Sequence, residues 1–373
     1  MRSHPRDSLL QEILRRSGKA ADKLLEHVEG CARCRRRVAE LEEQKNVVPL
    51  YPRREDDYGP ALDRAFEAFH LRQATLDVER SEAPALLSRL LDLTPERQRL
   101  LLSNSRRFPT WGLLELLIDR GREETFTDPE HAEEILRLAL DIAGRLPPSF
   151  YGAGLIEDMR ARSWGYIANA RRVRREFGAA EEAFGDAFLY LASGTGDPLE
   201  RALLWDLEAS LRTLQKDFER SLALLHRAIS IFRRVGEPHL VGSTIVKLST
   251  VYSKLRRPNQ ATSTLYGALG LIDPARDPRL ALCALNNLVD DLADSGRFSS
   301  AQRVLRQARP LYQQFPTPRT RIGYKFLEAK IAYGLGQAGA EELLDDAAGL
   351  LSRFKLPDLD GALEEVVSLK AMR

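Results

Sequence analysis

Four residues near the start of the chain have the types and spacing for metal chemistry. His27 stands four residues before Cys31, and Cys34 completes a C-x-x-C pair. Zinc favours thiolate and imidazole ligands in a tetrahedron, and a two-residue gap lets two cysteines grip one ion from a tight turn. His27 falls on the last turn of an expected helix, with Gly30 easing the turn that follows. Three ligands leave one position to fill, and His4 is the other histidine or cysteine nearby. With His4, His27, Cys31 and Cys34 all bound, no position is left for a catalytic water, so the expected zinc is structural. Two alternatives stay open here. One is a C-x-x-C that falls on a surface turn by chance. The other is a redox dithiol, which requires a βαβ setting that the sequence does not show.

The elements that must position these residues are helical. Helices are expected at Asp7–Arg16, from Ala20 through His27, and from Arg35 to Lys45, making residues 1–45 a small domain. A domain of that size buries too little surface to stand alone and needs a staple. Over residues 4–41 the H-x-x-x-C-x-x-C pattern resembles the zinc-binding domain of bacterial anti-sigma factors, with His4 placed 23 residues before His27. The resemblance implies Zn2+ on His4, His27, Cys31 and Cys34, and a sigma factor as one partner. Such domains also occur as accessory modules on unrelated bacterial proteins. Arg33, Arg35, Arg36 and Arg37 form a basic run that could meet nucleic acid. Glu40, Glu42 and Glu43 follow at once, and a solvated helix face fits better.

Bulk properties exclude several classes. A net charge of +2 over 373 residues is too small to draw nucleic acid or an anionic membrane. No apolar run reaches the roughly 18–20 residues of a membrane span, and the first thirty residues lack the apolar core of a signal peptide. With three cysteines in the chain, a reducing, cytoplasmic location is expected. No nucleophile elbow, H-E-x-x-H, phosphate loop or dinucleotide fingerprint occurs, so the chain is expected not to be an enzyme. His70 and His226 are expected to pack among apolar residues. Cys283 is expected to be a buried, inert thiol.

Most of the chain is organised by a repeat. Small residues recur at Ala180, Ser221, Ala261, Ala301 and Ala340, spaced 41, 40, 40 and 39 apart. Four positions later stand Phe184, Leu225, Leu265, Leu305 and Leu344; seven positions later stand Ala187, Ala228, Ala268, Ala308 and Ala347. Ala132, Leu136 and Ala139 keep the same spacing and mark a degenerate first unit. A period of this length predicts stacked helical pairs, an all-α α-α superhelical solenoid. Small residues where helices cross allow close approach, and large ones fill the gaps between pairs.

Trp164, Ile167 and Ala168, followed by Ala180, Phe184 and Ala187, resemble the tetratricopeptide consensus, and the later units follow with substitutions. The period is longer than that family's 34 residues, and Glu328 stands where a small residue is expected, so the fifth unit is expected to be weaker. The resulting plan is a zinc-binding domain over 1–45, a Pro- and Gly-containing linker over 46–60 and a helical cap over 61–127. A repeat array over 128–354 and a capping helix within 355–373 complete it. Within the cap, helices are expected from Ala61 to about Arg80 and over Ala85–Leu91.

In the tetratricopeptide family the first helix of each pair lines a groove that holds a peptide or a partner helix. The resemblance therefore implies partner contacts from Arg162, Asn169 and Arg172, then from Asp206, Ser210 and Thr213. Thr250, Ser253 and Lys254 follow, then Asn286, Asn287 and Asp290, and finally Lys325. The leading expectation is a non-enzymatic bacterial adaptor or regulator that binds protein through the array. The second is an anti-sigma-type regulator acting through residues 1–45. The third, a nucleic-acid binder using the helix after Cys34, is opposed by the small net charge.

Overall fold

The structure is a computed structural model that describes residues 4–6, 10, 27–28, 30–43, 55–354, 364 and 366–367. Every regular element among them is an α-helix. The chain divides into two units, residues 1–72 and 73–373.

In the first unit α1 (Ala32–Glu43) follows directly on Cys31. Leu10, Val28, Cys34 and Leu41 make a small core, with Cys31 and Val38 packed on it. The helices expected at 7–16 and 20–27 lie almost wholly outside the described residues, as do 46–54 of the expected linker and most of the expected C-terminal capping helix. From Glu55 the chain is helical, so the last residues read as linker belong to α2 (Glu55–Leu91).

Helix α2 is one helix of 37 residues where two were expected. Pro84 removes one backbone hydrogen bond, but Ala83, Leu86 and Leu90 beside it are buried and hold the helix in place. Further up α2, Leu62, Phe66 and Phe69 are more than half exposed. His70 is exposed as well, not packed as expected.

The second unit continues with α3 (Pro95–Asn104), α4 (Trp111–Glu124), α5 (Pro129–Ala143) and the short α6 (Pro148–Tyr151). Five further pairs follow: α7 (Ala153–Val173) with α8 (Phe177–Ala192), α9 (Pro198–Leu214) with α10 (Phe218–Val235), and α11 (Pro238–Lys254) with α12 (Pro258–Leu269). The last two are α13 (Pro278–Asp294) with α14 (Phe298–Gln314), and α15 (Pro318–Gly334) with α16 (Ala340–Phe354). Helices α4 and α5 also pack as a pair, and Ala132, Leu136 and Ala139 are fully buried in it.

Local chemistry explains where these helices begin. Proline opens α5, α9, α11, α12, α13 and α15, where its missing N–H costs nothing and its fixed φ is already helical. The side chains of Asp128, Asp197, Asp277 and Thr317 cap four of these.

The turns inside the five later pairs are copies of one motif. Arg175, Lys216, Arg256, Gly296 and Gly336 each take positive φ, between 56° and 64° at the three that are not glycine. Each turn also closes with a long backbone hydrogen bond, as from Glu176 N to Arg171 O or from Arg297 N to Leu292 O. That is the Schellman pattern, in which a left-handed residue lets the last carbonyls of a helix find donors.

Counting from these turns corrects one expectation. Seven residues before them stand Ala168, Ala209, Ser249, Val289 and Ala329, all buried. The small residue of the fifth pair is therefore Ala329, not Glu328. The register slips by one because Ala340 follows its turn one residue sooner than the other anchors do. The anchors and the alanines seven residues after them are all buried, which is why the two helices of a pair lie close.

Gly112 shows how closely α4 meets α2. A Cβ on it would lie 2.5 Å from the carbonyl carbon of Glu79, whose carboxylate accepts the Trp111 N–H at 2.8 Å. Gly178 holds the same second position of α8, with nothing within 4 Å. Gly112→Ala is expected to destabilise the second unit by about 1–3 kcal/mol through overpacking. Gly178→Ala should instead stabilise it by roughly 0.5–1 kcal/mol through helix propensity. Urea unfolding of the two variants checks the opposite signs.

Candidate metal site and partner-binding face

The turn before α1 brings the four N-terminal candidates together. Cys31 donates its N–H to Val28 O, and its own carbonyl accepts from Arg35 N at 3.0 Å, which starts α1. Cys34 is buried one turn further on. His4 Nδ1 lies 3.7 Å from Cys31 Sγ and 3.5 Å from Cys34 Sγ, and His27 Nε2 lies 3.5 Å from Cys34 Sγ. All four ligand atoms fall within 4.8 Å of one another.

A tetrahedral zinc with bonds of about 2.0–2.3 Å needs ligand separations of roughly 3.3–3.8 Å. The donor set and its spacing therefore fit a metal ion. The Cys34 backbone N–H holds the Cys31 thiol below its ordinary value, whereas burial pushes the Cys34 thiol up. Beyond the turn, Arg33, Arg35 and Arg36 are exposed, and Arg37 pairs with Glu40 at 2.6 Å.

The other histidines have separate surroundings. His226 is exposed on α10, not packed as expected, while Leu225 and Ala228 take the buried face of that helix. His131 contacts Glu124 at 2.5 Å, and His239, buried in the first turn of α11, accepts the Asp273 N–H at 3.3 Å.

In the array each first helix packs on its own second helix and also on the first helix of the next pair. The first helices thus form an inner layer whose polar side chains are joined from pair to pair. Arg162 on α7 pairs with Glu200 on α9. Asp206 on α9 pairs with Lys247 on α11 at 2.5 Å. Thr250 and Ser253 on α11 meet Asn287 at 3.4 Å and Asp291 at 2.6 Å on α13. Lys330 on α15, itself buried, reaches Asp290 at 2.7 Å and Asp294 at 2.5 Å.

Asn169, Arg172, Ser210, Asn286 and Lys325 complete the expected set. Asn169 Oδ1 accepts from Arg172 Nε at 2.9 Å, Ser210 reaches the Asp206 carbonyl, Asn286 accepts from Tyr312 at 2.7 Å, and Lys325 pairs with Glu328. Lys254 is exposed.

The Thr213 hydroxyl lies 2.8 Å from Ser221 Oγ and 2.9 Å from the Ala209 carbonyl, within its own pair. One expectation changes. Cys283 is exposed because the positions on either side of it, Leu282 and Ala284, take the buried faces of α13. At the end of α7, Arg171 and Arg174 are bound to Glu133, at 2.9 and 2.7 Å.

Sequence reasoning missed Glu200, Lys247, Asp291 and Lys330. The signal was present: opposite charges stand 38, 41 and 40 residues apart at Arg162/Glu200, Asp206/Lys247 and Asp290/Lys330, one repeat each.

No protein-family model matches the chain, and no curated protein matches it. Solved structures do. The apo form of RapI aligns at TM-score 0.53 and 15% identity over 69% of this chain and 89% of RapI. A Rap protein complexed with Competence and Sporulation Factor aligns at TM-score 0.53 and 13% identity, over 69% of this chain and 70% of that one. Likeness at this level defines the fold, a tetratricopeptide-like α-α superhelical solenoid. No helix among the described residues is long and apolar enough to cross a membrane.

Proposed function

We propose that the chain is a non-enzymatic adaptor or regulator of the bacterial cytoplasm that holds a protein or peptide partner along the inner layer of its array. The observation that carries this reading is the inner layer itself. Successive first helices present polar side chains there, fixed in place by the links between pairs, and a rigid polar face can hydrogen-bond an extended segment with little demand on its sequence.

A structural Zn2+ on His4, His27, Cys31 and Cys34 belongs to the same reading. When bound, it would supply the cross-link that a unit with so small a core lacks. The cluster of four ligands also favours a second reading, an anti-sigma-type regulator in which residues 1–45 grip a sigma factor.

The full chain and a chain lacking residues 1–45, used as bait in a pull-down from lysate, separate the two. The adaptor reading expects the same partner on both baits. A sigma factor lost on deletion would replace it with the second reading, and salt-sensitive retention of DNA alone would overturn both.

A further inference from the structure

We infer that the outward face of α14 is a docking surface for duplex nucleic acid, which Arg303, Arg306 and Arg309 grip by its phosphate backbone. The surface is separate from the inner layer that seats the protein partner.

The chain's charge of +2 is a sum, and it conceals a segregation. Over residues 295–327 there are seven basic side chains and no acidic one. At the chain's average of 54 acidic residues in 373, a stretch of that length would carry about five. The acids that flank the stretch are already spent, Asp294 on Lys330 at 2.5 Å and Glu328 on Lys325 at 3.0 Å. Helix α12, the second helix of the preceding pair, has no charged residue to offset it.

The fold sets three of these charges on one rigid helix. Helix α14 buries Ala301, Val304, Leu305, Ala308 and Tyr312, and the positions between them are left to solvent. Arg303, Arg306 and Arg309 recur there every three residues, so they are neighbours on the helix surface, and all three are exposed. Gln302 Oε1 accepts from Arg306 Nη2 at 2.7 Å, and among the described residues no carboxylate pairs with any of the three.

What the face lacks decides what it fits. Among the described residues, no exposed large apolar side chain lies between Tyr266 and Phe354. A protein interface is built around apolar and aromatic anchors, and a helix lying on a membrane needs an apolar face to bury. A single strand needs aromatic platforms for its bases. Guanidinium groups flanked by the exposed amides of Gln307, Gln313 and Gln314 match instead the polar, phosphate-rich surface of a duplex. The three arginines span about 9 Å of the helix axis. Over that distance one strand of a duplex presents about three phosphates, and each planar fork can take two phosphate oxygens.

Five fluorescent probes titrated with the full chain by anisotropy test the surface: a short DNA duplex of mixed sequence, the RNA duplex of the same sequence, the DNA single strand, polyglutamate, and vesicles containing phosphatidylglycerol. One or both duplexes should bind most tightly, the tighter one identifying the nucleic acid. Affinity for it should fall about 40-fold between 50 and 200 mM salt, as three phosphate contacts require. Arg303→Gln with Arg306→Gln should weaken binding at least tenfold at 50 mM salt and make the logarithmic salt slope shallower by about 2. Arg97→Gln with Arg99→Gln removes the same charge from exposed positions on α3 and should change neither. Circular dichroism confirms that each variant is folded. No duplex binding, duplex binding that survives the α14 substitutions, an equal loss in the α3 variant, or tightest binding to any of the other three probes overturns the surface. The adaptor reading is tested apart from it. A protein partner captured equally by wild type and the α14 variant leaves that reading standing whatever the duplex does, and no partner on either removes that reading alone.

Discussion

Replacing both cysteines, Cys31→Ser with Cys34→Ser, is expected to abolish zinc binding and unfold the first unit while the array keeps its helices. Metal analysis of the wild type should give about one zinc per chain, and the double variant none. The physical ground is the size of the core. Four buried side chains, Leu10, Val28, Cys34 and Leu41, are all that the described part of this unit assembles, far short of what offsets the conformational entropy of ordering the chain. In such small domains metal binding is folding, because the unfolded chain offers no preformed site. Cys34 is also part of the core, so the substitution alone would confuse lost packing with lost metal. A chelator on the wild type, followed by zinc, separates them: amide NMR signals of α1 should collapse and then return. Wild-type protein purified free of metal with α1 signals already dispersed would refute the structural zinc.

Asp291→Asn is expected to flatten the dependence of array stability on pH and to leave the variant more stable than wild type above pH 7. Asp291 is 3% exposed, its Oδ2 lacks a partner and its Oδ1 meets Ser253. Burial, with Asp290 and Asp294 adding repulsion and Lys330 opposing it, pushes its pKa up to about 7. An unfolded aspartate titrates near 3.9. Between these values the folded chain binds more protons than the unfolded one, so stability falls as pH rises from about 4 to about 7 and is level beyond.

The full shift would correspond to about 4 kcal/mol. Screening by solvent at the edge of the site reduces the expected change to about 1–3 kcal/mol. Asparagine keeps an acceptor for Ser253 and removes the proton. Urea midpoints at pH 5 and pH 8 give the answer, and an unchanged slope in the variant would refute the assignment.

Much of this architecture was legible in the sequence, for a physical reason. Where two helices cross closely, only small side chains fit, so Ala180, Ala261 and Ala301 had to recur and the period could be read. Proline at helix starts and a four-residue gap between His27 and Cys31 are likewise local signals. What escaped was decided between elements. Two helices are expected where α2 runs unbroken, because the packing of Leu86 and Leu90 that carries it past Pro84 is tertiary. The exposure of Cys283 and His226 depends on which face the neighbouring pair covers, and an apolar stretch around them says nothing of that. Arg172 and Asn169 on α7 are legible as groove positions, but the hydrogen bond between them is known only once both side chains are in place.

The links between successive first helices have a consequence for how the array keeps its order. Five pairs of nearly equal length, closed by the same turn, could dock one pair out of step, or be shuffled by recombination, without upsetting any single pair. The joints are not interchangeable, however. Shifted by one pair, Arg162 would meet Leu240 in place of Glu200, and Asp206 would meet Asn287 in place of Lys247, leaving a charge unmatched at both junctions. The alanines make the pairs alike, and the charges give each pair its address.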